Sequence, residues 1–414
     1  MNDSPLLPTA TSAIVVIILS GLTAPRAWAQ ALDAGADGGA PASANAPLDQ
    51  SPAPSPGPSV KISGYVEAFY SLNFNWPSNQ ITAYRGFDDR TSSITIDDAA
   101  LDVTGTLGPA LARLALQVGN APASYYLAEP SYPAQAGAGV SDPALWRLIQ
   151  QAILGYQVPV GRGALVEAGI FLSPIGIENL PINTQWNWSR SDLFFALPYY
   201  HAGARVTYPF TDKLAGVFYV TNGWNDIVNK NPYPCFAAIA DYAAAENLAL
   251  QFLYFGGVEE PTGSPEGQPW RNLFDVTATW NAAHRLSFAV QGDTGFEDNN
   301  FGTSSWIAGA LYARLQLHPK LYLAGRIDHF HEHDAVNGAG AATRLFFPAN
   351  DVGSETATLD FRPISDGFSV RLEFRADQAS SPMYFKGTVE HVDGSDVATA
   401  STQQTLTLGA VAWF

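Results

Sequence analysis

Charge is what this sequence has least of. Asp, Glu, Lys and Arg make up 14% of its 414 residues, against about 25% in a typical soluble chain. Basic residues are scarcer still: 21 Lys and Arg against 38 Asp and Glu give a formal net charge of -17. That sign argues against nucleic acid as a partner, because phosphates are neutralised by cations. A single cysteine, Cys235, excludes a disulfide framework and a Cys-rich zinc site. The apolar run Ile14 to Leu22 is too short for a helix to span a bilayer, which takes about 20 residues. No Gly-x-Ser-x-Gly elbow, P-loop or dinucleotide fingerprint occurs, so no hydrolase or nucleotide site is indicated and no cofactor is called for.

What is present is apolar and aromatic. Hydrophobic residues reach 47%, with 23 Phe, 17 Tyr, 10 Trp and 36 Gly, ample for a buried core and incompatible with general disorder. Yet the mean hydropathy is only -0.01, far below that of a helical membrane protein.

The chain divides into three parts. Residues 1–29 read as a secretory signal: an apolar core is followed by Ala27-Trp28-Ala29, a small-x-small cleavage pattern. Met1 to Ala13 lacks the usual Lys or Arg. Residues 30–59 are rich in Ala, Pro, Gly and Ser, and their composition predicts a disordered periplasmic tether. Residues 60–414 alternate with period two. Phe368, Val370, Leu372 and Phe374 interleave with Ser369, Arg371, Glu373 and Arg375. Successive side chains of a strand point to opposite faces, so each segment has one apolar and one polar wall.

Candidate strands number about sixteen, with 234–243 and 356–362 the weakest and Met383 to Val389 a further candidate. Short turns such as Gly108-Pro109 and His318-Pro319 largely alternate with long connections such as 121–147, 173–198, 331–355 and 378–402. A sandwich would mix its loop lengths. The pattern predicts an all-β fold, a transmembrane antiparallel β-barrel with short periplasmic turns and long extracellular loops. The chain ends on an alternating strand with a terminal aromatic, Phe414, the signal read by the barrel-assembly machinery. Trp280, Phe255, Tyr208 and Tyr156 are candidates for aromatic girdles, although Phe255 has the parity of the inner wall.

Several stretches carry a resemblance: Gly64-Tyr65-Val66-Glu67-Ala68-Phe69-Tyr70, Ala168-Gly169-Ile170-Phe171, Asn187-Trp188-Ser189-Arg190-Ser191, Asn222-Gly223-Trp224 and Arg371-Leu372-Glu373-Phe374-Arg375. In this collinear order, from about Ser63 to Phe414, the chain resembles the putative beta-barrel porin-2 (OmpL-like) family of Gram-negative outer membranes. The resemblance implies a porin in outer-membrane lipid and brings no defined substrate or pore residues. A homotrimer follows by analogy alone.

Strand parity nominates Glu67, Asp102, Arg113, Glu167, Arg205, Asp275, Arg314, Arg326, Arg362, Arg371, Glu373 and Arg375 as pore-lining groups. The arginines of the last strands should share one arc. Two readings follow: a transverse field that selects ions, or pairing with neighbouring carboxylates that knits the wall. The loop 173–198 is the candidate constriction, with Trp186 and Trp188 to pack inside and Glu178, Arg190 and Asp192 as its polar groups. The stretch Asp328 to Asp334 holds three histidines, but His329 and His331 share the lipid-facing parity, which favours a polar exit from the membrane over a metal site. The leading function is passive diffusion of small hydrophilic solutes. The alternatives are a non-conducting structural or surface-binding barrel and, more remotely, a lipid-active barrel enzyme.

Overall fold

A computed structural model of the chain describes residues 57–129, 142–364 and 366–414. The signal and nearly all of the tether expected from sequence lie outside these residues.

Sixteen strands hydrogen-bond in a closed ring. They are β1 (Ser59–Asn73), β2 (Ile94–Leu107), β3 (Ala110–Val118), β4 (Ile149–Val158), β5 (Ala164–Leu172), β6 (Tyr200–Pro209), β7 (Leu214–Thr221) and β8 (Cys235–Ala245). The ring continues through β9 (Leu248–Val258), β10 (Trp270–Ala283), β11 (Leu286–Asn299), β12 (Gly302–His318) and β13 (Leu321–His333). It ends with β16 (Asp351–Ile364), β17 (Phe368–Ala379) and β20 (Thr402–Trp413). Two short hairpins, β14–β15 (Val336–Asn337 and Gly340–Ala341) and β18–β19 (His391–Val392 and Ser395–Asp396), sit in loops outside the ring.

Closure is made by β1 against β20, from Tyr65 opposite Trp413 to Asn73 opposite Thr405. Every neighbouring pair is antiparallel, and the ring leaves no edge strand. In hydrocarbon an unpaired N–H or C=O costs several kcal/mol, so an open sheet could not persist there. Both doubtful segments are ring strands. Met383 to Val389 is not: Tyr384 forms a lone bridge to Ala400, and the Pro382 before it interrupts regular pairing. The connection between β11 and β12 is also short, although it lies on the side of the long loops.

The two walls differ as period two requires. On β12, Ile307, Leu311 and Leu315 face outward and are exposed, whereas Trp306, Ala308, Ala310, Tyr312 and Arg314 face inward and are buried. Phe255 lies inside, buried against Trp224 and His201, and so belongs to no girdle. Trp280 is exposed on the outer wall, stacked with Phe288.

Because Leu311 sits near the middle of β12 on the outer wall, Leu311→Arg is expected to cost about 2–4 kcal/mol of folding free energy in lipid, and Leu311→Ala much less. Urea titration of vesicle-inserted protein, followed by heat-modifiable gel mobility, checks this; equal midpoints would contradict the outward assignment.

Candidate pore and its inner loop

The connection from β5 to β6, residues 173–199, does not project away from the barrel. It lies inside the ring, and most of its side chains are buried. Irregular backbone at membrane depth survives only where its amides and carbonyls find partners within the protein or in a water-filled cavity. Here the inner wall supplies them as charged side chains.

Carboxylates take the loop's N–H groups. Glu67 on β1 accepts from the Ile182 amide at 2.5 Å. Glu373 on β17 accepts from the amides of Trp188 at 2.5 Å and Ser189 at 2.9 Å. Asp328 on β13 accepts from the Asp192 amide at 2.9 Å. Guanidiniums take the carbonyls. Arg371 donates to the Asn187 carbonyl at 2.9 Å. Arg326 donates to the carbonyls of Ser189 at 2.6 Å and Arg190 at 3.1 Å, and Arg375 also donates to the Arg190 carbonyl. Two side-chain ion pairs lock the same segment, Arg326 to Glu178 at 2.7 Å and Arg375 to Asp192 at 2.8 Å. Within the loop, Glu178 accepts from both the amide and the hydroxyl of Ser191. The Ser191 hydroxyl in turn caps the short helix Asp192–Phe195. Arg190 turns back onto the carbonyls of Asn179, Leu180 and Trp188 and lies over the Phe87 ring.

The loop's apolar side chains fill the remaining space. Trp186 is buried with Ile175, Ile177, Leu193, Trp306 and Phe330, and Trp188 with Phe69, Ile182 and Val411. Gly409 makes the Trp188 seat: a Cβ there would stand 2.3 Å from the indole. Gly176 (φ +85°) is required twice over, since a side chain would be strained by the backbone and would meet Gln291, whose amide oxygen accepts from Ile177.

The other nominated residues are also placed. Arg314, Arg326, Arg362, Arg371 and Arg375 do share one arc, β12 to β17, and each has a carboxylate within 3.7 Å. Asp360 alone faces Arg314, Arg362 and Arg371. Arg113 pairs with Asp102 and Arg205 with Glu167, both at 2.5 Å. Asp275 stands opposite Asp293 with Gln291 donating to both. The arrangement accords with the pairing reading, because Arg326, Arg371 and Arg375 are no more than 2% exposed.

Three anchors escaped sequence reasoning. Arg85, in the loop between β1 and β2, pairs with Asp88 and reaches Asp377 on β17 at 3.1 Å. Glu332, inside the histidine-rich stretch, accepts from the amides of Leu345, Phe346 and Phe347. Glu129 accepts from Ile227, Val228 and the Tyr200 hydroxyl. Parity could have flagged Glu332 alone. His329 and His331 lie on the outer face against Asp351, at 3.4 and 2.8 Å, and no metal-binding group of side chains occurs among the described residues.

With the geometry in place, the class is defined: a closed outer-membrane barrel of sixteen strands with a charged inner wall and an inserted loop. The chain belongs to the family described as "Putative beta-barrel porin-2, OmpL-like", which matches residues 59–414, and it is accordingly an outer-membrane protein of Gram-negative type. The search of curated proteins gave no match. Among solved structures, the fold is similar to the anion-selective porin from Comamonas acidovorans (TM-score 0.55, 12% identity, 86% of this chain and 100% of that one). It is also similar to the outer membrane channel DcaP of Acinetobacter baumannii (0.52, 10%, 86% and 98%) and to OmpT of Vibrio cholerae (0.52, 10%, 87% and 99%).

Removing one partner of a buried charged network is costly, whereas a neutral isostere retains part of the bonding. Glu373→Ala is therefore expected to release the loop and Glu373→Gln to loosen it less. Added protease should cut between residues 182 and 189 at least tenfold faster in the alanine variant while the barrel stays folded. Equal cleavage in all three proteins would contradict the tether.

Proposed function

We propose that this protein is a porin through which small hydrophilic solutes diffuse down their gradients, with no enzymatic step, and that the loop 173–198 narrows the passage. The observation that carries this reading is the fastening of that loop to the inner wall by Glu67, Arg326, Arg371, Glu373 and Arg375. A loop held at membrane depth by so many charged bonds occupies cross-section that water and solute would otherwise use.

The inner wall divides into two parts on this reading. Toward the periplasmic turns, Arg113, Asp102, Arg205 and Arg362 keep some exposure and line a polar vestibule. Farther out, the buried arginines act first as clamps, and the ions that pass sense the residual charge of paired groups. Assembly as a homotrimer, by analogy with porins of known structure, and insertion by the barrel-assembly machinery belong to the same proposal. The rival reading is a sealed barrel whose outer loops bind a surface partner; the apolar packing of Trp186, Trp306, Phe330 and Phe347 inside the ring favours it.

Planar-bilayer recording separates them. The intact protein should give discrete conductance steps, and deletion of residues 183–185 should raise the step size severalfold. Steps of unchanged size would contradict the constriction, and folded protein without conductance would leave the sealed barrel.

A further inference from the structure

The outer mouth holds a cavity of about 620 Å³ among the loops after β7, β9 and β13. This size is in the range that holds small molecules, but the lining is polar: Pro261, Pro265 and Leu345 are its main apolar contributions. Both signs of charge face it, and each charge is held by named partners. Lys230 is held at 3.2 Å by Asp226, which is not a lining residue, and at 3.2 Å by Glu259. Arg344 is held by Asp334 and Asn350, neither of which lines the cavity, and its side chain stays 34% exposed. Glu260 is fixed by Arg271 at 3.4 Å and by the Ser264 hydroxyl at 3.0 Å, with 20% of its side chain exposed. Glu266 is consumed structurally: the Ser264 hydroxyl and the Thr343 amide hold its carboxyl down to about 2 and join two of the loops. Burial opposes the Lys230 charge, but Glu259 and Asp226 outweigh it and keep the ammonium above its ordinary pKa.

A cavity whose wall carries Lys230, Arg271 and Arg344 together with Glu259 and Glu260 matches a dipolar guest better than an ion of either sign. We propose that it captures small zwitterionic solutes of amino-acid size, their carboxylate meeting Arg344 and Lys230 and their ammonium meeting Glu260. This rests on the solute-channel reading for its purpose, but binding can be measured without transport.

Titration calorimetry of L-glutamine into the detergent-solubilised full-length protein is the test, with acetate, ethylamine and glucose as separate probes. Saturable binding of glutamine is expected, at least tenfold tighter than that of acetate or ethylamine and with none for glucose. Arg344→Gln and Glu260→Gln should each weaken it at least tenfold, in protein shown folded by heat-modifiable mobility. Absence of glutamine binding, equal binding of acetate, ethylamine or glucose, or full affinity in both folded variants would overturn the site. Binding without conductance would uphold the site and sink the channel; conductance without binding would do the reverse.

Discussion

The pairing of β1 with β20 is the contact on which the rest depends. A sheet in hydrocarbon has no water to satisfy a free edge, so the first and last strands must find each other across the whole length of the chain. Once they do, the outer wall is fixed as apolar and the inner wall as a cylinder that must bury or hydrate its charges. The scarcity of charge in the sequence follows from this: only one wall can carry it.

Inside, the acidic excess has a structural use. Carboxylates on the wall and in the loops repeatedly accept from backbone amides of irregular segments, as Glu67 does from Ile182, Glu373 from Trp188 and Ser189, and Glu332 from Leu345 to Phe347. Arginines complete the arrangement by taking carbonyls and ion-pairing with the remaining carboxylates. A charge-assisted bond to backbone is stronger than a neutral one, which suits loops that have no regular ladder of their own. The inner wall is thus a template for loops.

The ring was legible because period two is a local property. Phe368 to Arg375 states its two faces within eight residues, and the sixteen expected segments all coincide with ring strands. Parity also placed Arg326, Arg371, Glu373 and Arg375 on the inner wall and His329 on the outer one. What parity could not state is what an inward side chain meets there. Arg371 donates to Asn187, far away in sequence, and Arg85 reaches Asp377 from a loop without any periodic pattern. The same limit explains the failure at Met383 to Val389, where a short apolar stretch resembles a strand but, after Pro382 and outside the completed ring, makes only the lone bridge from Tyr384 to Ala400.

The most direct measurement is a cross-link over the seam. With Cys235 replaced by alanine, cysteines at Leu72 and Leu406, which stand opposite each other on β1 and β20, should join under mild oxidation in detergent-folded protein. A pair at Leu72 and Leu311, on strands not paired in the ring, should stay reduced. Efficient joining of the first pair alone is the predicted result; equal joining of both, or of neither in folded protein, would contradict a closed barrel.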